Sequence, residues 1–375
     1  MTILYLSNFF NHHQSPLSDA FYEALSGKYY FIETMTLPKE QIRVGYNEIK
    51  RPYILKYNQH KTLIDKLIVE ADVVIYGEAP LSLIKKRLRR GKLTFHDNER
   101  RYKSWVKYLK WPIYTYKSLF LNKAYLLCAS AYAARDFRLS GMSSKKCFKW
   151  GYFTKVDDLP LKNLRETSIC ENDIVRIMWC GRFLRLKHPE LAVKVASKLK
   201  EDKAIFVMNM YGVGEELEAT KMLAQNMGVE DVVNFCGSLP NPDILNEMRK
   251  HDIVLLTSDQ NEGWGAVLNE AMASGCAVVA SHAMGAAPYL INDNVNGLIF
   301  KSEDLESLYQ KTKYLINNPL RRKEIGAKAY ETMSTTWRAE TACRNFLQLC
   351  QSIKSGNPNP IISGPCSPAP IMNHK

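Results

Sequence analysis

The chain of 375 residues has nine cysteines but no Cys-x-x-Cys pair. An odd count without that spacing argues against a zinc ribbon and against a disulfide framework. Several thiols sit inside apolar runs, such as Cys128 in Tyr-Leu-Leu-Cys-Ala and Cys276 in Gly-Cys-Ala-Val-Val. They read as buried free thiols of a reducing compartment. Long hydrophobic runs are also lacking. No stretch reaches the ~18 apolar residues of a spanning helix, and the best candidate, 118–134, is broken by Asn122 and Lys123. The start, Met-Thr-Ile-Leu-Tyr-Leu-Ser-Asn, has neither the basic region nor the apolar length of a signal peptide. The expectation is a cytoplasmic protein, or one peripheral on the inner face of the cytoplasmic membrane. Acids are scarce in one place. Between Lys85 and Lys123 only Asp97 and Glu99 oppose 13 Lys and Arg, while the whole chain has 51 against 38 and a net charge of +13. Most of the excess is therefore one segment, which excludes a uniformly basic, histone-like chain.

Apolar residues make up 46% and charged residues 24%, an ordinary globular composition. Short apolar runs alternate with amphipathic stretches. Strands are predicted at 3–6, 72–76, 93–95 and 125–128, and in a second series at 175–179, 204–209, 232–235, 253–256 and 277–280. Helices are predicted at 189–199, 215–227, 242–250 and 266–274. Continuous apolar strands separated by helices mean parallel sheets covered on both faces. The fold class is α/β, with two doubly wound domains, 1–160 and 171–337. The polar stretch 155–171 reads as their linker. A helix at 338–353 follows the second domain, and 354–375, with five prolines and two glycines, reads as an irregular tail.

In such sheets, ligands bind at the carboxyl ends of the strands, and two facing domains would hold one in the cleft between them. Four loops of the second domain are informative. In Cys180-Gly181-Arg182-Phe-Leu-Arg-Leu-Lys187-His188-Pro189, two cations flank a helix that starts at proline, an arrangement suited to a diphosphate or to a solvated surface. Tyr211-Gly-Val-Gly is either a phosphate turn or simple turn geometry. Phe235-Cys-Gly-Ser238 is a third strand end. The fourth loop carries most weight. Glu262, Gly263 and Gly265 precede a helix that starts at Ala266 and bears Glu270. Its glycines let backbone N–H groups approach an anion, and its two acids bracket the helix start.

These motifs resemble the retaining glycosyltransferases of family 4, which have the GT-B architecture of two facing Rossmann-like, doubly wound parallel-sheet domains. The resemblance covers about 174–337. It rests on Gly181, Arg182 and Lys187, on the Glu-x7-Glu pair Glu262 and Glu270, and on Asn-Gly-Leu-Ile-Phe at 296–300. It implies that Arg182 and Lys187 hold the donor diphosphate, that Glu262 contacts sugar hydroxyls, and that Glu270 contacts the ribose. It places the backbone of Gly263, Trp264, Gly265 and Ala266 beside the sugar and phosphates, and 235–238 along the base. The donor would be a UDP- or GDP-sugar. Configuration would be retained, with no metal and no cofactor required. The helix at 338–353 would cross back to the first domain. That domain departs from the family pattern: the loop 7–16 has no glycine, and Gly285-Ala-Ala-Pro-Tyr289 lacks an acid. Asn-His-His-Gln at 11–14 and Trp-Gly-Tyr-Phe at 150–153 resemble a branch of bacterial surface-polysaccharide assembly, with capsule, O-antigen or exopolysaccharide products. The acceptor would then be a glycan or a lipid-linked oligosaccharide.

Cleaving a glycosyl phosphate puts negative charge on the leaving diphosphate, where Arg182, Lys187 and the helix start beyond Gly263 would act. Glu262 is the nearer candidate for a nucleophile. Front-face attack, with a diphosphate oxygen taking the acceptor proton, is the favoured course. His12, His13, His96 and Glu99 lie at strand ends of the first domain and are candidates for acceptor contacts, or are simple polar loop residues. His188 reads as structural. The basic, aromatic-rich segment 85–123 has three readings: docking on an anionic membrane, nucleic-acid binding, or a solvated face over a core. The donor motifs favour the membrane and weigh against nucleic acid. A GT-B epimerase or phosphorylase is the catalytic alternative, and a nucleic-acid-binding protein the non-catalytic one.

Overall fold

The computed structural model describes residues 1–37, 48–100, 122–139, 141–157 and 174–373. Most of the aromatic half of the basic segment, 101–121, and most of the expected linker lie outside the described residues. The chain divides into two units, 1–155 with 336–373, and 156–335.

Unit 1 holds a seven-stranded sheet in the order β3-β2-β1-β4-β5-β6-β7. The strands are β1 (Ile3–Ser7), β2 (Tyr29–Glu33), β3 (Ile54–Lys56), β4 (Val73–Tyr76), β5 (Thr94–Asn98), β6 (Tyr125–Cys128) and β7 (Cys147–Lys149). Every pairing between them is parallel. Buried on both faces, β1 and β4 read as unbroken apolar runs, Ile-Leu-Tyr-Leu and Val-Val-Ile-Tyr. Helices α1 (Ser15–Ala24), α2 (Lys61–Glu70), α3 (Lys85–Arg89) and α4 (Ala133–Arg138) connect them.

Two cations of the basic segment are internal, Arg87 and Arg100. Arg87 is fully buried. It donates to Thr94 Oγ1 at 3.0 Å and to the carbonyls of Ile68, Ala71, Asp72 and Leu93 at 3.0, 2.8, 3.3 and 2.5 Å. The guanidinium fork thereby ties the end of α2 to β4 and β5, and burial lowers its pKa to about 10. Lys86, Arg89, Arg90 and Lys92 are exposed. The described part of the segment thus holds two buried arginines, Arg87 and Arg100, the latter paired with Asp136 at 3.5 Å, the half-buried Lys85, and the exposed cations Lys86, Arg89, Arg90, Lys92 and Lys123.

Unit 2 holds a six-stranded sheet, β10-β9-β8-β11-β12-β13, again wholly parallel. Its strands are β8 (Val175–Cys180), β9 (Phe206–Tyr211), β10 (Val233–Gly237), β11 (Ile253–Leu256), β12 (Ala277–Ser281) and β13 (Leu298–Phe300). Its helices are α5 (Pro189–Glu201), α6 (Leu217–Asn226), α7 (Asn241–Arg249), α8 (Ala266–Ala273), α9 (Ala287–Leu290), α10 (Leu305–Asn317) and α11 (Pro319–Ser334). Helix α5 starts with proline at its first position and buries Leu191, Ala192, Val195, Ala196 and Leu199 on the sheet.

Helix α12 (Ala339–Ser355) belongs to unit 1. Its Phe346 meets Phe21, Phe95 and Trp150 with ring centroids 5.5, 4.8 and 5.7 Å apart. The proline-rich tail has almost no regular structure, but it is not loose. It lies antiparallel along β7: Lys149 N donates to Ser367 O and Cys366 N to Lys149 O, both at 2.8 Å, and Ala369 N donates to Cys147 O at 2.9 Å. Cys366, Ser367 and Ala369 are buried. Proline belongs on such an edge because its missing N–H can face away from the ladder, and the tail shields β7 from pairing with another chain.

Deleting 364–375 removes three backbone hydrogen bonds at roughly 1 kcal/mol each. The truncated protein is expected to melt on the order of 6–10 °C lower and to self-associate, as checked by calorimetry and light scattering.

Candidate functional site

In unit 2 the strand order reverses between β8 and β11, since the chain runs outward through β9 and β10 and returns beside β8. The loops leaving these two neighbours lead to helices on opposite faces, which opens a crevice at their carboxyl ends. Those loops are 181–188 and 257–265, the two that carry the sequence motifs.

They are joined from the core outward. Trp179 Nε1 donates to Thr257 Oγ1 at 2.9 Å, and Thr257 Oγ1 donates to Lys187 O at 2.5 Å. Asp259 N donates to Leu186 O at 2.9 Å. Above these bonds Lys187 Nζ pairs with Glu262 Oε2, which also accepts from Ser258 Oγ at 3.2 Å. Both partners are only 15% exposed at the side chain. Arg182 and Arg185 are exposed, and neither makes an ion pair among the described residues. A small recess beneath the Lys187 end of the loop is lined by Cys180, Lys187, Thr257, Ser258, Val267 and Met284.

The two glycines of Tyr211-Gly-Val-Gly pack against the first loop. A Cβ on Gly212 would lie 1.9 Å from Gly181 O, and one on Gly214 2.3 Å from Phe183 O. Gly181 N donates to Tyr211 O, and Phe183 N to Val213 O, at 3.0 and 2.9 Å. The motif extends the β8–β9 ladder and fixes the backbone on either side of Arg182. Turn geometry is the reading the structure supports here. Gly265, with φ +92, precedes α8 and turns the chain into it. The first N–H groups of that helix have no intrahelical acceptors, an arrangement suited to an anion. Trp264 is fully buried and donates from Nε1 to Asn269 Oδ1 at 2.8 Å, so its side chain serves the core and only its backbone borders the loop.

Glu270 lies on α8, 6% exposed, and accepts from Asn241 Nδ2 at 2.8 Å. Burial raises its pKa to about 7, against the pull of Asn241. The Cys180 thiol at the end of β8 is pushed up to about 12, by burial first and then by Glu270, with Lys187 acting the other way. Asn241, at the start of α7, carried no motif signal. Nor did Thr257 and Asp259, since a threonine and an aspartate at a strand end are indistinguishable in sequence from ordinary turn residues.

In unit 1, His12 and His13 follow β1 with ring centroids 3.9 Å apart. Burial, then His12, lowers the His13 pKa to about 3. His96 lies within β5 rather than after it, buried between Tyr76 and Phe137 with centroids at 5.3 and 5.4 Å. Glu99 follows β5 and accepts from Tyr152 Oη at 2.7 Å. The glycine-free loop after β1 bonds its own amides. Phe9 N donates to Asn8 Oδ1, Phe10 N to Glu33 Oε1, Asn11 N to Gln14 Oε1 and His13 N to Asn11 Oδ1, at 2.7–3.0 Å. Those N–H groups are spent on side chains rather than presented to a phosphate. Asp97, two residues before Glu99, shows in the sequence only as a charge. It is a buried carboxyl bonded to Tyr5 Oη, with its pKa raised to about 7 by burial.

Residues 165–332 match the family model of glycosyl transferases group 1. The match covers unit 2 almost entirely and includes both joined loops. Among curated proteins, the chain is 29% identical over 176 residues to a D-inositol 3-phosphate glycosyltransferase of Kribbella flavida, covering 44% of this chain and 41% of that protein. It thus spans less than half the length of that relative. Among solved structures it resembles Anabaena HepE in complex with UDP, with a TM-score of 0.68 at 16% identity over 95% of this chain and 100% of that one. It also resembles the lipopolysaccharide outer core galactosyltransferase WaaB, with a TM-score of 0.69 at 14% identity over 95% and 100%. At that level of identity the likeness is one of fold. The chain has the two Rossmann-like parallel-sheet domains of GT-B glycosyltransferases.

The raised pKa of Glu270 sets a pH dependence. The folded state holds this proton more tightly than the unfolded chain, so its contribution to stability is complete below about pH 4.5 and is lost as pH rises through about 7. Glu270→Gln removes that loss. The melting temperature of the variant minus that of the wild type is expected to climb between pH 5 and pH 7 and then level off, as followed by calorimetry across that range.

Proposed function

We propose that the chain is a glycosyltransferase that moves a sugar from a nucleotide-diphosphate sugar to a glycan or lipid-linked acceptor, with retention of configuration as in family 4. The observation that carries this reading is the pair of joined loops at the switch point of unit 2, within the segment that matches the group 1 glycosyl transferases. They set an exposed arginine, a lysine, a carboxylate and a helix start at one strand edge.

The chemistry follows from where charge develops. As the glycosyl–phosphate bond lengthens, the diphosphate gains negative charge and the anomeric carbon positive charge. Arg182 offers a planar fork for two phosphate oxygens, and the backbone N–H groups at the start of α8 offer a second set of fixed donors. Each such donor contributes about 3–4 kcal/mol when it acts mainly in the transition state. Lys187 is held by Glu262 before the donor arrives, so diphosphate binding redirects the ammonium and leaves the carboxylate to sugar hydroxyls. Glu270 is assigned to the ribose and Phe235–Ser238 to the base. The acceptor oxygen attacks on the face from which the diphosphate leaves, and a leaving-group oxygen takes its proton. His12, His13, His96 and Glu99 are assigned to the acceptor. UDP is the first nucleotide to test, because HepE is solved with it. The likeness to WaaB supports a product in surface polysaccharide. Lys86, Arg89, Arg90 and Lys92 supply an exposed cationic face for an anionic membrane surface, where a lipid-linked acceptor resides.

A thermal-shift panel of UDP, GDP, ADP and their sugars tests the donor reading. A nucleotide at 100 times its Kd adds about 2.7 kcal/mol, and Arg182→Ala is expected to weaken the response and to lower turnover at least tenfold with the fold intact. No shift with any nucleotide overturns the reading.

Vesicle sedimentation tests the membrane assignment. More protein is expected to pellet with phosphatidylserine-containing vesicles than with phosphatidylcholine alone, with the difference falling as salt rises. Equal pelleting removes it.

A further inference from the structure

His188 sits between the two joined loops in a conformation that glycine adopts more easily. Its backbone is left-handed, with φ 47 and ψ 54, directly before Pro189 at the start of α5. A Cβ-bearing residue held there points to work done by the side chain. That side chain bridges two elements. Nδ1 lies 2.8 Å from Glu190 Oε1 on the first turn of α5, and Nε2 lies 3.5 Å from Asp259 Oδ2 in the loop after β11, a charge pair outside hydrogen-bond geometry. The imidazole is only 16% exposed.

Asp259 is the first residue of a tight turn. Its Oδ1 accepts from Asn261 N at 2.7 Å, its Oδ2 from Asn261 Nδ2 at 3.1 Å, and its carbonyl from Glu262 N at 3.1 Å. Glu262 closes the turn and reaches back to Lys187, the residue before His188. The result is a ring: adjacent residues 187 and 188 hold opposite ends of the turn 259–262. The groups that face His188 are the carboxylates of Glu190, from α5, and Asp259, from the β11 loop. Asp259 first, then Glu190, hold its pKa up at about 10 against burial, so it is a cation at neutral pH. Burial pushes both acids up, but His188 and nearby amides bring them below the usual carboxylate range.

We infer that His188 is a positioning residue: by pairing its charge with Asp259 it sets the turn that places Glu262 against Lys187. This rests on the donor reading above for its functional meaning, but not for its geometry. The ring differs from an ordinary surface contact because breaking it at Asp259 should be felt at Glu262, which His188 does not touch.

A double-mutant cycle on the whole protein tests this. His188→Gln and Glu262→Gln are combined, and melting temperature is read at pH 7. The expected result is non-additive: His188→Gln costs clearly less once Glu262→Gln is present. His188→Gln and Asp259→Asn are each expected to raise the Kd for UDP at least fivefold, and together no more than the larger single effect. His188→Gly, which relieves the backbone, carries the same cycle if the glutamine variant does not fold. Additive melting temperatures overturn the inference, as does a UDP Kd within twofold of wild type in the single variants. If the wild type binds no nucleoside diphosphate, the donor reading falls and the cycle alone decides the role of His188.

Discussion

The hydroxyl of Thr257 is the point on which the site depends. It accepts from the indole of Trp179 and donates to the carbonyl of Lys187. Thr257 is 1% exposed, so water does not replace either bond. Through it the end of β11 is fixed to the loop that leaves β8. The paired charges of these two loops stand on that crossing: Lys187 and His188 on one strand of chain, Asp259 and Glu262 on the other. The parallel order of the sheet brings the two loops together, and a single buried hydroxyl sets their registration.

The electrostatics of this edge are graded rather than uniformly positive. Lys187 is neutralised by Glu262, and His188 lies between two carboxylates. Arg182 and Arg185 remain exposed to solvent. On the proposed reading, a dianionic ligand would meet an exposed guanidinium at Arg182 and an ammonium already paired with Glu262. Moving Lys187 from Glu262 to the diphosphate would then, on that donor reading, offset ground-state binding more than binding at the point where leaving-group charge grows.

Unit 1 obtains its order by other means. A buried arginine replaces several capping contacts at the end of α2. Side-chain amides of Asn8, Asn11 and Gln14 hold a loop that lacks glycine. Phe346, more than 300 residues after β1, fills a gap among Phe21, Phe95 and Trp150. The last residues then cover the β7 edge.

The strands buried on both faces, such as 73–76 and 253–256, were legible because continuous apolar runs of that length between helices admit few other structures. Strands β3, β7 and β13 escaped because three residues carry no periodicity, the five-residue β2 escaped as well, and the proline-rich tail hid an edge partner because composition reports flexibility, not contacts. Glu262, Glu270, Arg182 and Lys187 stood out by spacing and by the glycines around them. Thr257, Asp259, Asn241 and Asp97 did not, since their importance lies in what they touch. The sequence by itself determined two parallel α/β units and which loops carry charge, because burial and periodicity act locally along the chain. Only the tertiary structure decided which charges are paired, which are free, and which glycines serve packing, because those depend on side chains some 70 residues apart meeting in a buried, low-dielectric edge.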